Sequence, residues 1–140
     1  MNVYLDTSVI VSMFTTDAHT SRASRFLAHV SDRIALSDWV ATEFSSALAI
    51  GTRVGRLTSD EREAAELAFQ SWRDRAPFTS AVEPIDVRVA RDLLKTTTRP
   101  LRAGDALHVA IARRLGCSLA TFDVGMRAAA VDLGVLVEDL

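Results

Sequence analysis

A chain of 140 residues, 49% of them hydrophobic, is long enough for one domain with a buried core. Its formal net charge of −2 argues against a sequence-independent nucleic-acid clamp, and its apolar runs fall far short of the roughly 20 residues of a membrane span. The single cysteine, Cys117, excludes an internal disulfide and a thiolate metal cluster, and no secretory leader is apparent, so we expect a cytosolic protein.

The first 30 residues predict one strand and two helices. Val3–Asp6 has the composition of a buried strand, because β-branched and aromatic residues precede an acid at its end. Thr7 and Ser8 follow as cap-like hydroxyls for a short helix over 9–14, and a second helix is expected over about 21–30. This order is typical of an α/β domain.

The next segment predicts a strand and a helical pair. Ile34–Ser37 is expected as the second strand, and Asp38 as the cap of a longer helix. Thr58 and Glu61 form a capping-box pattern that opens another helix to about Arg75. This pair lies outside the strand and helix alternation, so we expect it to protrude as a lid or a pairing surface.

The region from residue 81 to 116 predicts a weak strand and two helices. Ala81–Ile85 is expected as a third strand at an edge, because Pro84 cannot join a central ladder. Asp86 is expected to cap the helix that follows. Gly104 and Asp105 mark the entry of the next helix, which Gly116 ends.

The last part of the chain predicts a buried strand, a helix and a closing strand. Cys117–Phe122 is a short apolar run with Asp123 at its carboxyl end, and Val135–Val137 can close the sheet. Strands that alternate with helices predict a three-layer α/β/α fold around a mainly parallel sheet of four to five strands. We therefore expect a single domain over residues 1–140.

Four carboxylates are set into or beside these apolar patterns: Asp6, Glu43, Asp105 and Asp123. Ligands of open α/β sheets bind outside the carboxyl ends of the strands, where two of these acids lie. Glu43 lies on the inward side of its helix, where an unpaired charge is costly, so an Arg or a divalent metal should compensate it. Acids without a Cys or His cluster favour Mg²⁺ or Mn²⁺ over Zn²⁺.

Each acid also has a plain structural interpretation. Asp105 and Asp123 would cap their helices, Asp6 would end a strand in a turn, and Glu43 would pair with an Arg. His108, one turn after Asp105, would reach the site or simply pack in its helix. The set of four acids argues for a site more strongly than any one of them.

Four segments carry a resemblance to a known family: YLDTSVIV, DWVATEFSSAL, LRAGDALHVAIA and ATFDVGM. The chain resembles the PIN domain over nearly its whole length, and within that family the VapC-type toxins of prokaryotic toxin–antitoxin pairs. The resemblance implies that Asp6, Glu43, Asp105 and Asp123 form the acidic quartet. It also implies that hydroxyls line the same site, and these are Thr7, Ser8 and Thr121.

Membership of this family implies a metal-dependent endoribonuclease, usually a homodimer, silenced by a small VapB-type antitoxin. Typical targets in the family are transfer or ribosomal RNAs. Such a site suits phosphodiester hydrolysis with Mg²⁺ or Mn²⁺, in which Asp6, Asp105 and Asp123 hold metal while Glu43 orients the attacking water, accepts its proton or also holds metal. Arg102 is a further candidate for contact with the substrate backbone.

Other classes of protein fit the sequence less well. A phosphoacceptor signalling domain also gathers acids at strand ends, but it needs a lysine nearby, and Lys95 lies at a predicted helix end. A haloacid-dehalogenase-type phosphatase needs a second Asp two residues after the first, where this chain has Ser8. A PIN-like module that binds without catalysis remains as the alternative.

Overall fold

The computed structural model describes residues 1–76 and 78–140, and its strands and helices alternate along most of the chain. The elements are β1 (Val3–Leu5), α1 (Thr7–Phe14), α2 (Thr20–Val30), β2 (Ile34–Ser37), α3 (Asp38–Arg53), α4 (Ser59–Arg73), β3 (Phe78–Ser80), α5 (Pro84–Thr96), α6 (Ala103–Arg114), β4 (Ser118–Ala120) and α7 (Val124–Asp132).

The four strands form one parallel sheet in the order β3-β2-β1-β4. Tyr4 lies at the centre of this sheet, in register with Ala35 on one side and Leu119 on the other. The chain leaves β1 toward β2 and later returns to the opposite side of β1 as β4. The carboxyl ends of β1 and β4 therefore flank the switch point at which α/β folds bind ligands. The three-layer α/β/α architecture predicted from the sequence is confirmed.

The edge of the sheet differs from the prediction. The third strand is Phe78–Ser80, not Ala81–Ile85, and Pro84 begins α5, since a proline ring presets the backbone angle of a first helical residue. Asp86 is not the cap of α5. It lies in the first turn and accepts a hydrogen bond from the backbone N–H of Glu83, at 2.8 Å.

The predicted last strand is reduced to one bridge. Val137 pairs with Leu119 outside the named strands, and Gly134 ends the preceding helix with a φ of 73°. The four-stranded sheet thus gains a short extension beyond β4.

Two helix caps also differ from the prediction, each by one or two residues. The side chain of Asp6, rather than Thr7 or Ser8, caps α1, and that of Ser37, rather than Asp38, caps α3. In both cases the true cap is the polar residue that still has extended backbone geometry, as helix caps do. The carboxyl end of β1 therefore passes directly into a helix N-terminus.

The helical pair is α3 and α4, and an aromatic cluster joins it to α1. The predicted capping box of Thr58 and Glu61 is present at the start of α4. The Phe69 ring of α4 lies 4.6 Å from that of Phe44 and 5.7 Å from that of Phe14, measured between centroids. These contacts hold α4 against the core at distances typical of favourable aromatic pairs.

A buried ion pair holds α5 against α6. Arg114 Nε donates to Asp86 Oδ1 at 2.6 Å and its Nη2 to Asp86 Oδ2 at 2.9 Å, in a bidentate arrangement. Asp86 is only 1% exposed, whereas Glu83, which accepts from Arg114 Nη1 at 3.0 Å, is more exposed. No helix in the described part of the chain is both long and apolar enough to cross a membrane.

Candidate active site

Four separate elements bring the predicted acids to one cavity of about 660 Å³. Asp6 follows β1, Glu43 lies within α3, Asp105 lies in the first turn of α6, and Asp123 precedes α7. Thr7, Ser8 and Arg102 line the same cavity. The first and last of the four acids, Asp6 and Asp123, lie more than 100 positions apart in the sequence, so the fold creates their proximity.

Asp6 is the most buried of the four acids, with 2% exposure. Its Oδ1 accepts hydrogen bonds from Ser8 Oγ at 2.7 Å and from the Val9 N–H at 3.2 Å, and its Oδ2 accepts from Thr121 Oγ1 at 2.6 Å. Burial nevertheless raises the pKa of the Asp6 carboxyl, because these neutral donors offset only part of the lost hydration. A cation in the cavity would favour the ionised form.

Thr121 links two of the acids from behind the cavity. Its hydroxyl donates to Asp6 and accepts from the backbone N–H of Asp123 at 3.0 Å. It is absent from the residues that line the cavity in the described structure, although the sequence predicted it there. It therefore fits a residue that orients Asp6 better than one that contacts substrate.

Asp105 and Asp123 both accept hydrogen bonds at helix starts. Asp123 Oδ1 accepts from the Met126 N–H at 2.7 Å, and Asp105 Oδ2 accepts from the Arg102 N–H at 3.0 Å. The Arg102 guanidinium also approaches Asp105, at 3.4 Å, but its side chain is 84% exposed, so this ion pair contributes little. The plain structural role of these acids and their place in the cavity are thus both observed.

Glu43 is held by hydrogen bonds from two neighbours. Its Oε2 accepts from Thr7 Oγ1 at 2.8 Å and lies 2.6 Å from His108 Nε2. Partial burial alone would raise the pKa of Glu43, but the hydrogen bond and electrostatic attraction from His108, aided by Thr7, lower it overall. His108 is thus a compensating partner that the sequence did not predict, and Arg102 adds to the lowering of the pKa of Glu43, as expected of an arginine near it.

Gly104 allows α6 to approach the other oxygen of Glu43. A Cβ atom at Gly104 would lie 2.5 Å from Glu43 Oε1 and 3.4 Å from the Trp39 ring. Only a residue without a side chain leaves Glu43 where it is. The sequence identified Gly104 as a helix entry, whereas its main effect is this close contact.

Sequence reasoning missed part of the site. It expected His108 to reach the site or to pack in its helix, and His108 does both, since it is buried and bonded to Glu43. Tyr4, which was not expected at the site, contacts His108 from the centre of the sheet. Trp39 also lines the cavity, and its position one turn before Glu43 on α3 was a usable signal. His19 and Asp17, which lie between α1 and α2, line the cavity as well.

The structure also bears on the phosphoacceptor alternative. Lys95 lies in the last turn of α5 and forms an exposed pair with Asp92 at 3.5 Å. It does not line the cavity among the described residues. The essential lysine of that class is therefore missing from the acidic cavity.

Comparison with known proteins identifies the fold and the family. Residues 3–132 match the profile of the PIN domain. VapC20 of Mycobacterium tuberculosis, a sarcin-ricin loop cleaving toxin, has a TM-score of 0.74 and 21% identity over 91% of this chain and 95% of its own. FitAcB from Neisseria gonorrhoeae has a TM-score of 0.69 and 18% identity, with 98% and 96% covered.

A third similar structure covers the whole chain. VapBC2 from Rickettsia felis, bound to a DNA fragment from its promoter, has a TM-score of 0.70 and 14% identity over 100% of this chain and 99% of its own. No curated protein sequence matches the chain. At these identities the structures demonstrate the shared fold, and the profile match over residues 3–132 shows the family. This chain belongs to the PIN domain family.

Proposed function

We propose that this protein is a metal-dependent endoribonuclease and the toxin of a toxin–antitoxin pair. The observation that carries the proposal is the convergence of Asp6, Glu43, Asp105 and Asp123 on one cavity at the switch point of the sheet. Four acids in one cavity repel one another and lose hydration, so a bound cation would offset an otherwise unfavourable arrangement. Membership of the PIN family supports the same function.

The donor set of the cavity fits Mg²⁺ or Mn²⁺. Carboxylate and hydroxyl oxygens are the ligands that hard divalent cations prefer. In residues 1–76 and 78–140 no group of three or more His, Cys, Asp or Glu side chains is already arranged around a metal position. The carboxylates of Asp6, Asp105 and Asp123 instead accept hydrogen bonds within their own helix starts. Metal binding would replace part of these contacts.

In the proposed mechanism, Asp6, Asp105 and Asp123 hold the cation, with Glu43 as a further candidate ligand. When bound, the ion would lower the pKa of a water molecule and neutralise charge on the phosphate. Glu43, whose pKa is lowered, is ionised at neutral pH and orients the attacking water or accepts its proton. Ser8 and Thr121 fix the Asp6 carboxylate through their hydroxyls.

The substrate-binding part of the proposal rests on Arg102, Thr7 and Ser8 at the cavity. Arg102 is largely exposed and its ion pair with Asp105 is long, at 3.4 Å, so its guanidinium can contact a phosphate of the RNA backbone. Two other arginines do not line the cavity in the described structure and donate elsewhere: Arg99 to Asp132 and Arg127 to the Glu138 carbonyl. We therefore favour Arg102 as the backbone contact.

Structural neighbours suggest the RNA and the partner. VapC20 is described as cleaving the sarcin-ricin loop, which supports ribosomal RNA, alongside transfer RNA, as the target to test here. FitAB and VapBC2 were solved with DNA fragments, and another neighbour is a toxin–antitoxin complex from Klebsiella pneumoniae. We propose a VapB-type antitoxin as the partner and a cytosolic homodimer as the state of the toxin.

The test is RNA cleavage by the Asp6→Asn variant. Asparagine keeps the helix cap but removes the negative charge, so the fold should persist while cleavage falls at least about 100-fold. Asp38→Asn is the matched control, because Asp38 is a surface acid paired with Arg73 and does not line the cavity. Cleavage should stop in EDTA and return with Mg²⁺ or Mn²⁺.

Two outcomes would refute the proposal. If a folded Asp6→Asn protein cleaves RNA at the normal rate, the reaction does not depend on the acidic cavity. Growth arrest on induced expression without any change in cellular RNA would instead identify a PIN module that acts by binding.

A further inference from the structure

A chain of buried hydrogen bonds runs from the N-terminus of α3 to the carboxylate of Glu43. The Tyr4 hydroxyl lies 2.7 Å from Ser37 Oγ and 2.9 Å from His108 Nδ1. His108 Nε2 lies 2.6 Å from Glu43 Oε2. The chain therefore connects the centre of the sheet to an acid of the cavity.

Burial isolates this series of hydrogen bonds from solvent. Tyr4 is fully buried, and Ser37 and His108 are each only 1% exposed. Water cannot replace a missing partner at such depth, and an unsatisfied buried polar atom typically costs about 1–3 kcal/mol. The polar atoms of Tyr4, Ser37 and His108 must therefore find their partners within this series of hydrogen bonds.

With Glu43 ionised and one hydrogen on the His108 imidazole, the available hydrogens give this hydrogen-bond series one direction. Ser37 Oγ accepts from the Val40 N–H at 3.4 Å as the cap of α3, so its own hydrogen is free to donate to the Tyr4 oxygen. Tyr4 then donates to His108 Nδ1, which leaves the imidazole hydrogen on Nε2, next to Glu43. An ionised carboxylate only accepts, so it forms the natural end of the series.

We propose that Tyr4 and His108 are positioning residues, in which the Tyr4 hydroxyl holds the His108 ring through Nδ1 and the His108 Nε2–H holds the Glu43 carboxylate in the cavity. Histidines next to catalytic centres commonly depend on a second hydrogen bond for their tautomer and ring orientation. Thr7 donates to the same oxygen of Glu43, and Gly104 lies against the other oxygen, so His108 is one of three contacts that restrict this carboxylate.

The first test measures the tautomer directly, without reference to activity. Long-range ¹H–¹⁵N correlation spectra of the three histidines should show His108 with a proton on Nε2 and a bare Nδ1. In Tyr4→Phe, which removes only the hydroxyl, the proton should stay on Nε2 beside Glu43, while the ¹⁵N resonance of the bare Nδ1 should move toward that of an imidazole nitrogen without a hydrogen bond. His19 and His29 serve as internal references, because neither contacts Tyr4 in the described hydrogen bonds.

The second test rests on the proposed function and separates positioning from binding. Tyr4→Phe should lower kcat for RNA about 10- to 100-fold, the usual effect of losing an outer hydrogen-bond partner, with KM changed less than about twofold. Ser118→Ala is the matched control, because it also removes a buried hydroxyl, one that bonds to Asn2 and Glu138 away from the cavity. Its kcat should stay normal.

A conservative variant tests His108 itself. Glutamine retains an N–H donor that can reach Glu43, whereas alanine does not. His108→Gln should therefore keep more kcat than His108→Ala after both are shown to be folded by thermal unfolding. Equal loss in the two variants would mean that His108 acts only by filling space.

The outcomes distinguish this inference from the proposed function. A proton on His108 Nδ1 in the wild-type spectrum, or an unchanged spectrum in Tyr4→Phe, would overturn the positioning chain even if the protein cleaves RNA. A wild-type protein without nuclease activity would refute the proposed function while the spectra still test the tautomer.

Discussion

Replacing Gly104 with alanine should leave the fold stable and yet disable the site. The new Cβ would lie 2.5 Å from Glu43 Oε1, whereas ordinary carbon–oxygen contacts begin at about 3.3 Å. The carboxylate would therefore have to move by roughly 0.8 Å, and its rotation about its own bonds can provide that movement. The helix should gain up to about 1 kcal/mol from the exchange of glycine for alanine.

The expected loss of activity follows from that displacement. A shift of about 1 Å in a catalytic group can cost about 100-fold in rate. The shift also strains the 2.6 Å contact between Glu43 and His108 Nε2. We therefore expect Gly104→Ala to lose one to two orders of magnitude in kcat at an unchanged or slightly raised Tm.

The assay is RNA cleavage next to thermal unfolding, with Gly51→Ala as the control. Gly51 is also helical, but its added Cβ would meet the flexible end of Leu57, at 3.1 Å, and no acid of the cavity. That variant should keep its kcat and gain similar stability. Full activity in Gly104→Ala would show that the position of Glu43 does not limit the reaction.

Two further predictions concern stability and reactivity. Asp86→Ala should lose about 3–5 kcal/mol of unfolding free energy in urea, because it leaves Arg114 without its buried partner. Glu83→Ala, which removes the exposed partner of Arg114, should lose less than about 1 kcal/mol. Similar losses in the two variants would contradict the difference in burial between Asp86 and Glu83. Burial raises the pKa of the Cys117 thiol, so little thiolate forms at pH 8 and iodoacetamide should label the native protein far more slowly than the urea-unfolded one. Equal labelling rates would place Cys117 at the surface.

The sequence predicted the parts of the fold that depend on local pattern. Ile34–Ser37 is the second strand as expected, and the capping box at Thr58 lies where its spacing indicated. The third strand was misplaced because Pro84 suits both the edge of a sheet and the first turn of a helix. Only pairing with β2, which is a tertiary contact, decides between the two.

The four acids were found from the sequence because each breaks an apolar pattern or ends one. The link from Tyr4 through His108 to Glu43 was not found, because Tyr4 and His108 are 104 residues apart in the chain and each also fits the pattern of a core residue. The close approach of Gly104 to Glu43 also could not be predicted from the periodicity of apolar residues. Sequence patterns report which face a residue occupies, whereas partner identity depends on how α6 packs across the sheet.

The double role of Asp6 and Asp123 as helix caps has a consequence for evolution. Selection for stability alone would disfavour alanine at both positions, at a cost of about 0.5–2 kcal/mol each, but would tolerate asparagine. A lineage that has lost nuclease activity should therefore drift toward asparagine, serine or threonine there. If many descendants keep aspartate at both positions, selection must act on the catalytic activity and not on stability alone.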